Sequence, residues 1–327
     1  MKESLQKLCN DFVSNYTEVA KAFMLESSDI YPVCANILCS HGCLPDAEQL
    51  KQSRKEIDKH TGVFSNFRGN IRPFLASMLA LGNDPEKRME LAKEYYTLLK
   101  QEFSGSEYLA LAAFILTDLA DRQQVQERLT RSKEIYKRMK KEHPFLTSSD
   151  DSVFAVLLAF SDKPIDDLIA DIEESYSVLK KHFSIGDDLQ TVSHVLSLTD
   201  GSPQEKAQRL IDLYNALKEA GVEYGNKYQL GALAALSLTD SEIPSLVDDI
   251  REVDAFLKEQ KGRGLSNIEA KQRAMNAAMI VSDQYMENQV VNTTAMTGTV
   301  SMIIAERIAM CITIVSNVVS ALFSQNE

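Results

Sequence analysis

One short phrase recurs along the chain: an apolar run, a small residue, then Asp or a polar relative. It reads ANILCSH to His41, SMLALGN to Asn83, AFILTD to Asp118, LLAFSD to Asp162, VLSLTD to Asp200, ALSLTD to Asp240 and AMIVSD to Asp283. A return at about 40 residues constrains the fold more than any bulk property, because one such unit cannot bury its apolar face alone and must stack on its neighbours. Four positions before each phrase end stand Ile37, Leu79, Phe114, Leu158, Leu196, Leu236 and Met279, and eight before stand Val33, Leu75, Ala110, Phe154, Val192, Ala232 and Met275. Steps of four place these residues on one helical stripe.

A second pattern follows the first. Tyr96, Tyr136, Tyr176 and Tyr214 each precede an apolar residue by three positions and Lys100, Lys140, Lys180 and Lys218 by four. Lys258 continues the series after Asp254 replaces the Tyr. Pro45, Pro85, Pro164, Pro203 and Pro244 fall just after the phrase, where a helix's first turn tolerates Pro. Ser202-Pro203-Gln204-Glu205 reads as a capping box, and Asn70, Ser106, Ser149 and Asn226 as further helix starts.

The chain is therefore predicted to be all-α, an alpha-solenoid of about seven two-helix repeats of HEAT or armadillo-like length over residues 28–290. Leu5, Leu8, Phe12, Tyr16, Val19 and Phe23 form the stripe of a capping helix within 1–27, and 291–327 reads as an apolar helix on the last repeats. Only 13 Gly and 8 Pro in 327 residues agree with long helices and short connections.

The net charge of −12 repels a phosphate backbone, so nucleic acid is not an expected partner. The amino terminus breaks its apolar residues with charges and lacks the run of a signal peptide. Cys9, Cys34, Cys39, Cys43 and Cys311 form an odd set that fits a reducing cytoplasm better than a disulfide framework. Beyond Arg307 the apolar stretch to Phe323 is about 16 residues, short of the roughly 20 of a membrane span. That segment is expected to pack on the repeats or on a second subunit.

Over nearly its whole length, including FSNFRGNIRPFLASMLALGNDPEKRM, the chain resembles a bacterial family numbered four thousand and three among the domains of unknown function. The resemblance implies a Gram-positive cytoplasmic protein. It brings no activity, ligand or functional residue.

Four zinc-ligand types crowd together at Cys34, Cys39, His41 and Cys43. The register puts Cys39 where other repeats carry Leu, Phe or Val, and Cys34 where they carry Ala, so both are expected in the core. Asp118, Asp162, Asp200, Asp240 and Asp283 recur about 10 Å apart if the repeats stack, too far to share an ion. Their neighbouring Ser and Thr suggest turn hydrogen bonds instead. Lys100, Lys140, Lys180, Lys218 and Lys258 define a basic edge that either binds an acidic partner or complements helix dipoles. Tyr96, Tyr136, Tyr176 and Tyr214 are expected between repeats. No phosphate loop, H-E-x-x-H, G-x-S-x-G or dinucleotide turn is present. The expected function is a non-catalytic scaffold or adaptor for a protein or peptide, without cofactor. The alternatives are an enzyme with an inter-repeat pocket or a protein attached to a membrane through residues 300–323.

Overall fold

The computed structural model describes residues 1–292 except 121, 150, 261–264, 266 and 267, with the side chains at 187 and 286–292 also left out. Apart from the backbone of its first two residues, the expected apolar segment at 291–327 lies outside the described residues. Among those residues the chain is all-α, with fourteen α-helices, short 3-10 helices at Ser28–Ile30 and Asn66–Arg68, and no strand. The odd-numbered helices are α1 Glu3–Ala22, α3 Ala47–His60, α5 Pro85–Leu99, α7 Val125–Glu142, α9 Ile165–Leu179, α11 Pro203–Glu219 and α13 Ile243–Lys258. The even-numbered ones are α2 Tyr31–Ser40, α4 Arg72–Ala80, α6 Glu107–Leu119, α8 Asp151–Leu158, α10 Asp187–Leu196, α12 Leu230–Ser237 and α14 Ala270–Asn292. No described helix is long and apolar enough to cross a membrane.

The even helices carry the recurring phrase, and α2, α4, α6, α8 and α12 are apolar nearly all round, whereas α10 also buries Gln190, Ser193 and His194. In α6 every residue from Leu109 to Leu116 is buried, and in α12 every residue is. A helix without a polar face has to be enclosed. The odd helices bury only a stripe: Met89, Ala92, Tyr95 and Leu99 in α5, and Val125, Leu129, Ser132, Ile135 and Met139 in α7. Tyr95, not the periodic Tyr96, sits at the centre of the α5 stripe.

Two compact units form. One comprises Met1–Val13 and the described chain from Ser161 onward; the other is Ser14–Phe160. In the second, α3 packs on α4, α5 on α6 and α7 on α8, while α3, α5 and α7 touch in sequence. In the first, α9, α11 and α13 form one row and α10, α12 and α14 another.

Start signals explain most boundaries. Asp46 and Gln49 make a reciprocal capping box on α3, while Asp84, Ser106 and Ser202 cap α5, α6 and α11 through their side chains. The helices after Asn70 and Asn226 start later than expected, with Ile71 and Gln229 at their caps. The last phrase also departs from the pattern: α14 runs past Asp283, because residues 284–292 contain neither Gly nor Pro to stop it.

Cations close the polar ends of the even helices, whose last carbonyls lack intrahelical donors. Arg88 of α5 donates to Thr117 Oγ1 at 3.0 Å, pairs with Asp118 at 2.7 Å and lies over the Phe114 ring. Arg128 of α7 donates to the Ala159 carbonyl at 2.8 Å and covers Phe160. Arg209 of α11 donates to the carbonyls of Ser237 at 2.7 Å, Thr239 at 2.8 Å and Ser241. The Thr117 and Thr239 hydroxyls donate back to Phe114 and Leu236 carbonyls, as the phrase suggested.

The leading helix does more than its sequence position suggests. The Met1 amine pairs with Glu252 at 2.9 Å, and Lys2 Nζ lies 2.7 Å from Asp249, which also accepts from the Tyr285 hydroxyl. The amino-terminal end of α1 is thereby fastened to α13 and α14.

Candidate interaction surface

The five periodic lysines stand at the carboxyl ends of odd helices. Lys100 and Lys180 cap α5 and α9, Lys140 and Lys218 lie in the last turns of α7 and α11, and Lys258 ends α13. A cation there complements the helix dipole. All five are exposed, and none pairs with an acid among the described residues. By contrast Lys2, Lys7, Lys21, Lys59, Lys133 and Lys163 all hold carboxylates. In the Ser14–Phe160 unit, Phe64 and Phe145 stand fully exposed in the loops beyond α3 and α7.

The periodic tyrosines fill space between helices. Tyr96 meets Phe67 edge-on at 5.2 Å and its hydroxyl accepts from Asn66 at 2.6 Å. Tyr136 meets Phe103 at 5.4 Å, Tyr214 meets Phe183 at 5.2 Å, and Tyr176 is buried. Phe103 and Phe183 each stand three residues past a periodic lysine, so the Phe after one odd helix packs on the Tyr of the next odd helix.

The α11–α13 pair lacks both rings. Gly221 occupies the place three past Lys218, and Asp254 occupies the Tyr position. A cleft of about 780 Å³ opens there, lined among others by Gly221, Glu223, Arg251, Asp254, Lys258 and Arg273. Gly221 has φ +78°, a left-handed turn at the end of α11 that admits Gly far more readily than a side chain. Asp254 spends its charge on Arg273, at 2.8 Å and 3.3 Å.

A second polar cluster sits at the end of α10. Lys163 Nζ contacts Asp171 at 2.6 Å and the Ser197 and Thr199 carbonyls at 3.2 Å and 2.9 Å; Lys206 Nζ donates to the same Thr199 carbonyl at 2.6 Å. Burial, then the neighbouring Lys163 charge, pull Lys206 from 10.5 down to about 8, against the opposing pull of Asp171 and Asp200. The folded state therefore sheds this proton first. Between pH 8 and 10.5 the unfolded chain binds more protons, so stability gains as pH rises. The expected result is that wild type gains on Lys206→Met across that window, in paired urea titrations at each pH. Parallel curves would deny the depressed lysine.

The cysteine-rich segment does not assemble. Helix α2 continues to Ser40, so Cys34 and Cys39 are helical and buried. Burial pushes the Cys34 thiol up to about 12, the reverse of a ready thiolate ligand. His41 Nδ1 lies 2.9 Å from the Ile37 carbonyl, and Cys43 Sγ points at the Ala80 carbonyl at 3.9 Å. Among the described residues the ligand-type atoms that converge are those of Glu56, His60 and Glu86, within 4.8 Å of one another. Sequence reading gave them no weight. Glu56 and His60 stand one helical turn apart, but Glu86 arrives from another helix and leaves no local signal.

No solved structure matches the chain. It is 27% identical over 210 residues to a curated relative, "Uncharacterized protein YeaA" of Bacillus subtilis (strain 168), an alignment covering 61% of this chain and 63% of that one. The chain thus spans less than two thirds of that relative's length. The profile of a bacterial family described as "Protein of unknown function (DUF4003)" matches residues 15–309, and the chain belongs to that family.

Proposed function

We propose that this protein is a non-catalytic helical-repeat adaptor whose α9–α11–α13 row binds an acidic, aromatic-bearing segment of a partner protein. One coincidence supports the reading. The place where the Phe–Tyr filler is missing opens a cleft; Lys258, exposed and without an acid partner, lines it, and Lys218, likewise exposed and without one, lies in the last turn of α11, three residues before the lining Gly221. A partner's ring supplies the apolar contact that other repeats make internally, as interface anchors do. Its carboxylates meet Lys258 in the cleft and the exposed lysines at the ends of α9 and α11, which steer approach. The free cysteines at positions 9, 34, 39 and 43 fit a reducing compartment, in which we place this role.

Affinity purification of tagged chain from its native cells tests the reading, with Lys180→Glu/Lys218→Glu/Lys258→Glu beside wild type. The expected outcome is one stoichiometric partner with wild type and at least about tenfold less with the triple variant, a loss worth about 1.4 kcal/mol. The thermal midpoint should hold, since exposed substitutions usually stay within about 0.5 kcal/mol. Equal recovery by both would move the surface elsewhere, and no partner at all would overturn the adaptor reading.

A further inference from the structure

We propose that Glu56, His60 and Glu86 form a binding site for a divalent transition metal of the zinc class. Glu56 and His60 lie at i and i+4 on α3, so the helix itself places both side chains on one face. Glu86 comes from the first turn of α5, which Asp84 caps and Pro85 starts. His60 Nε2 is 2.9 Å from Glu56 Oε1 and 3.7 Å from Glu86 Oε1. Three candidate ligand atoms thus lie within 4.8 Å, close enough for one ion to replace the Glu56–His60 hydrogen bond and join all three.

The donor set narrows the metal. One imidazole nitrogen and two carboxylates suit a borderline ion such as Zn²⁺ or Co²⁺; an all-oxygen shell would suit Ca²⁺ or Mg²⁺. Two negative charges match the ion's two positive ones. Glu56 and His60 are largely enclosed, at 13% and 12% exposed, while Glu86 is 59% exposed, so the site has two fixed ligands and an open side. Three protein ligands with an open side is the arrangement that leaves room for water.

Lys59 tests the same electrostatics. Its Nζ lies 3.1 Å from Glu56 and 3.0 Å from Glu86, so an ammonium already bridges the two carboxylates that the metal would use. Metal binding must displace Lys59. Its side chain is mostly exposed and can swing into water.

The experiment is calorimetric titration of the chelator-treated full chain with Zn²⁺, and optical titration with Co²⁺. A single equivalent is expected, with affinity falling at least about tenfold in His60→Ala and in Glu86→Gln, since losing even an outer-shell partner costs that much. Lys59→Met should bind more tightly than wild type, a gain that general damage to the protein would not produce. The Co²⁺ complex should lack the charge-transfer band of thiolate ligation. Absence of binding, indifference to both ligand substitutions, or a thiolate band that places the ion at the cysteines would each overturn the site.

Discussion

Phe114→Ala is expected to destabilise the protein by about 3–5 kcal/mol, the range for deleting a fully buried ring. Phe114 has no exposed surface and lies mid-way along α6, where every neighbour from Leu109 to Leu116 is also buried. Its ring meets Phe67, from the short 3-10 helix before α4, at 6.3 Å and carries the Arg88 guanidinium on its face at 5.4 Å. Deletion therefore leaves a cavity and removes the surface against which a capping cation lies. The surroundings collapse poorly onto such a gap, because Phe67 is held from outside the helix pair and Arg88 is tied to Thr117 and Asp118. Urea unfolding followed by circular dichroism checks the value. A loss below about 1 kcal/mol would mean that α6 repacks freely and that its all-apolar character does not hold the pairs together.

What could be read from the sequence follows from how local each signal is. The recurring phrase announced the even helices because a buried helix writes an apolar run of its own length. The lysine period announced the odd ones because a cation at a helix end is a local solution that recurs from one odd helix to the next. The tyrosine period was legible as a position but not as a partner. Tyr96 meets Phe67 from the 3-10 helix before α4, whereas Tyr136 and Tyr214 meet a Phe three past the preceding lysine. Only after that pairing is seen do Gly221 and Asp254 become a missing filler and hence a cleft. Lys2 looked like any surface lysine, since its partner Asp249 stands 247 residues away. Glu86 was silent for the same reason. The arginine clamps lay between these cases: Arg88 and Arg128 each stand eight before a periodic Tyr, but Leu168 breaks the series and Lys206 continues it with a different head group.

Arg209 is the clamp whose loss should tell most about how an odd helix holds the even helix that follows it. Its guanidinium serves three backbone carbonyls, at Ser237, Thr239 and Ser241, that end α12 and begin the following turn. Ser237 and Thr239 are almost wholly buried, so water replaces the lost donors poorly. Arg209→Met keeps the apolar stem and removes every donor. The expected cost is about 2–4 kcal/mol, because each buried carbonyl left without a partner carries about 1–3 kcal/mol and neighbouring losses are not additive. Arg209→Lys should recover only part, since an ammonium is a point donor where the planar fork reaches three acceptors from one side chain. Urea unfolding of the two variants gives the ranking, and amide exchange in α12 gives the place, with protection falling there before it falls in α6. If Arg209→Met stays within about 0.5 kcal/mol of wild type, the range of an ordinary surface substitution, the clamp is ornamental and apolar contact alone holds α11 to α12.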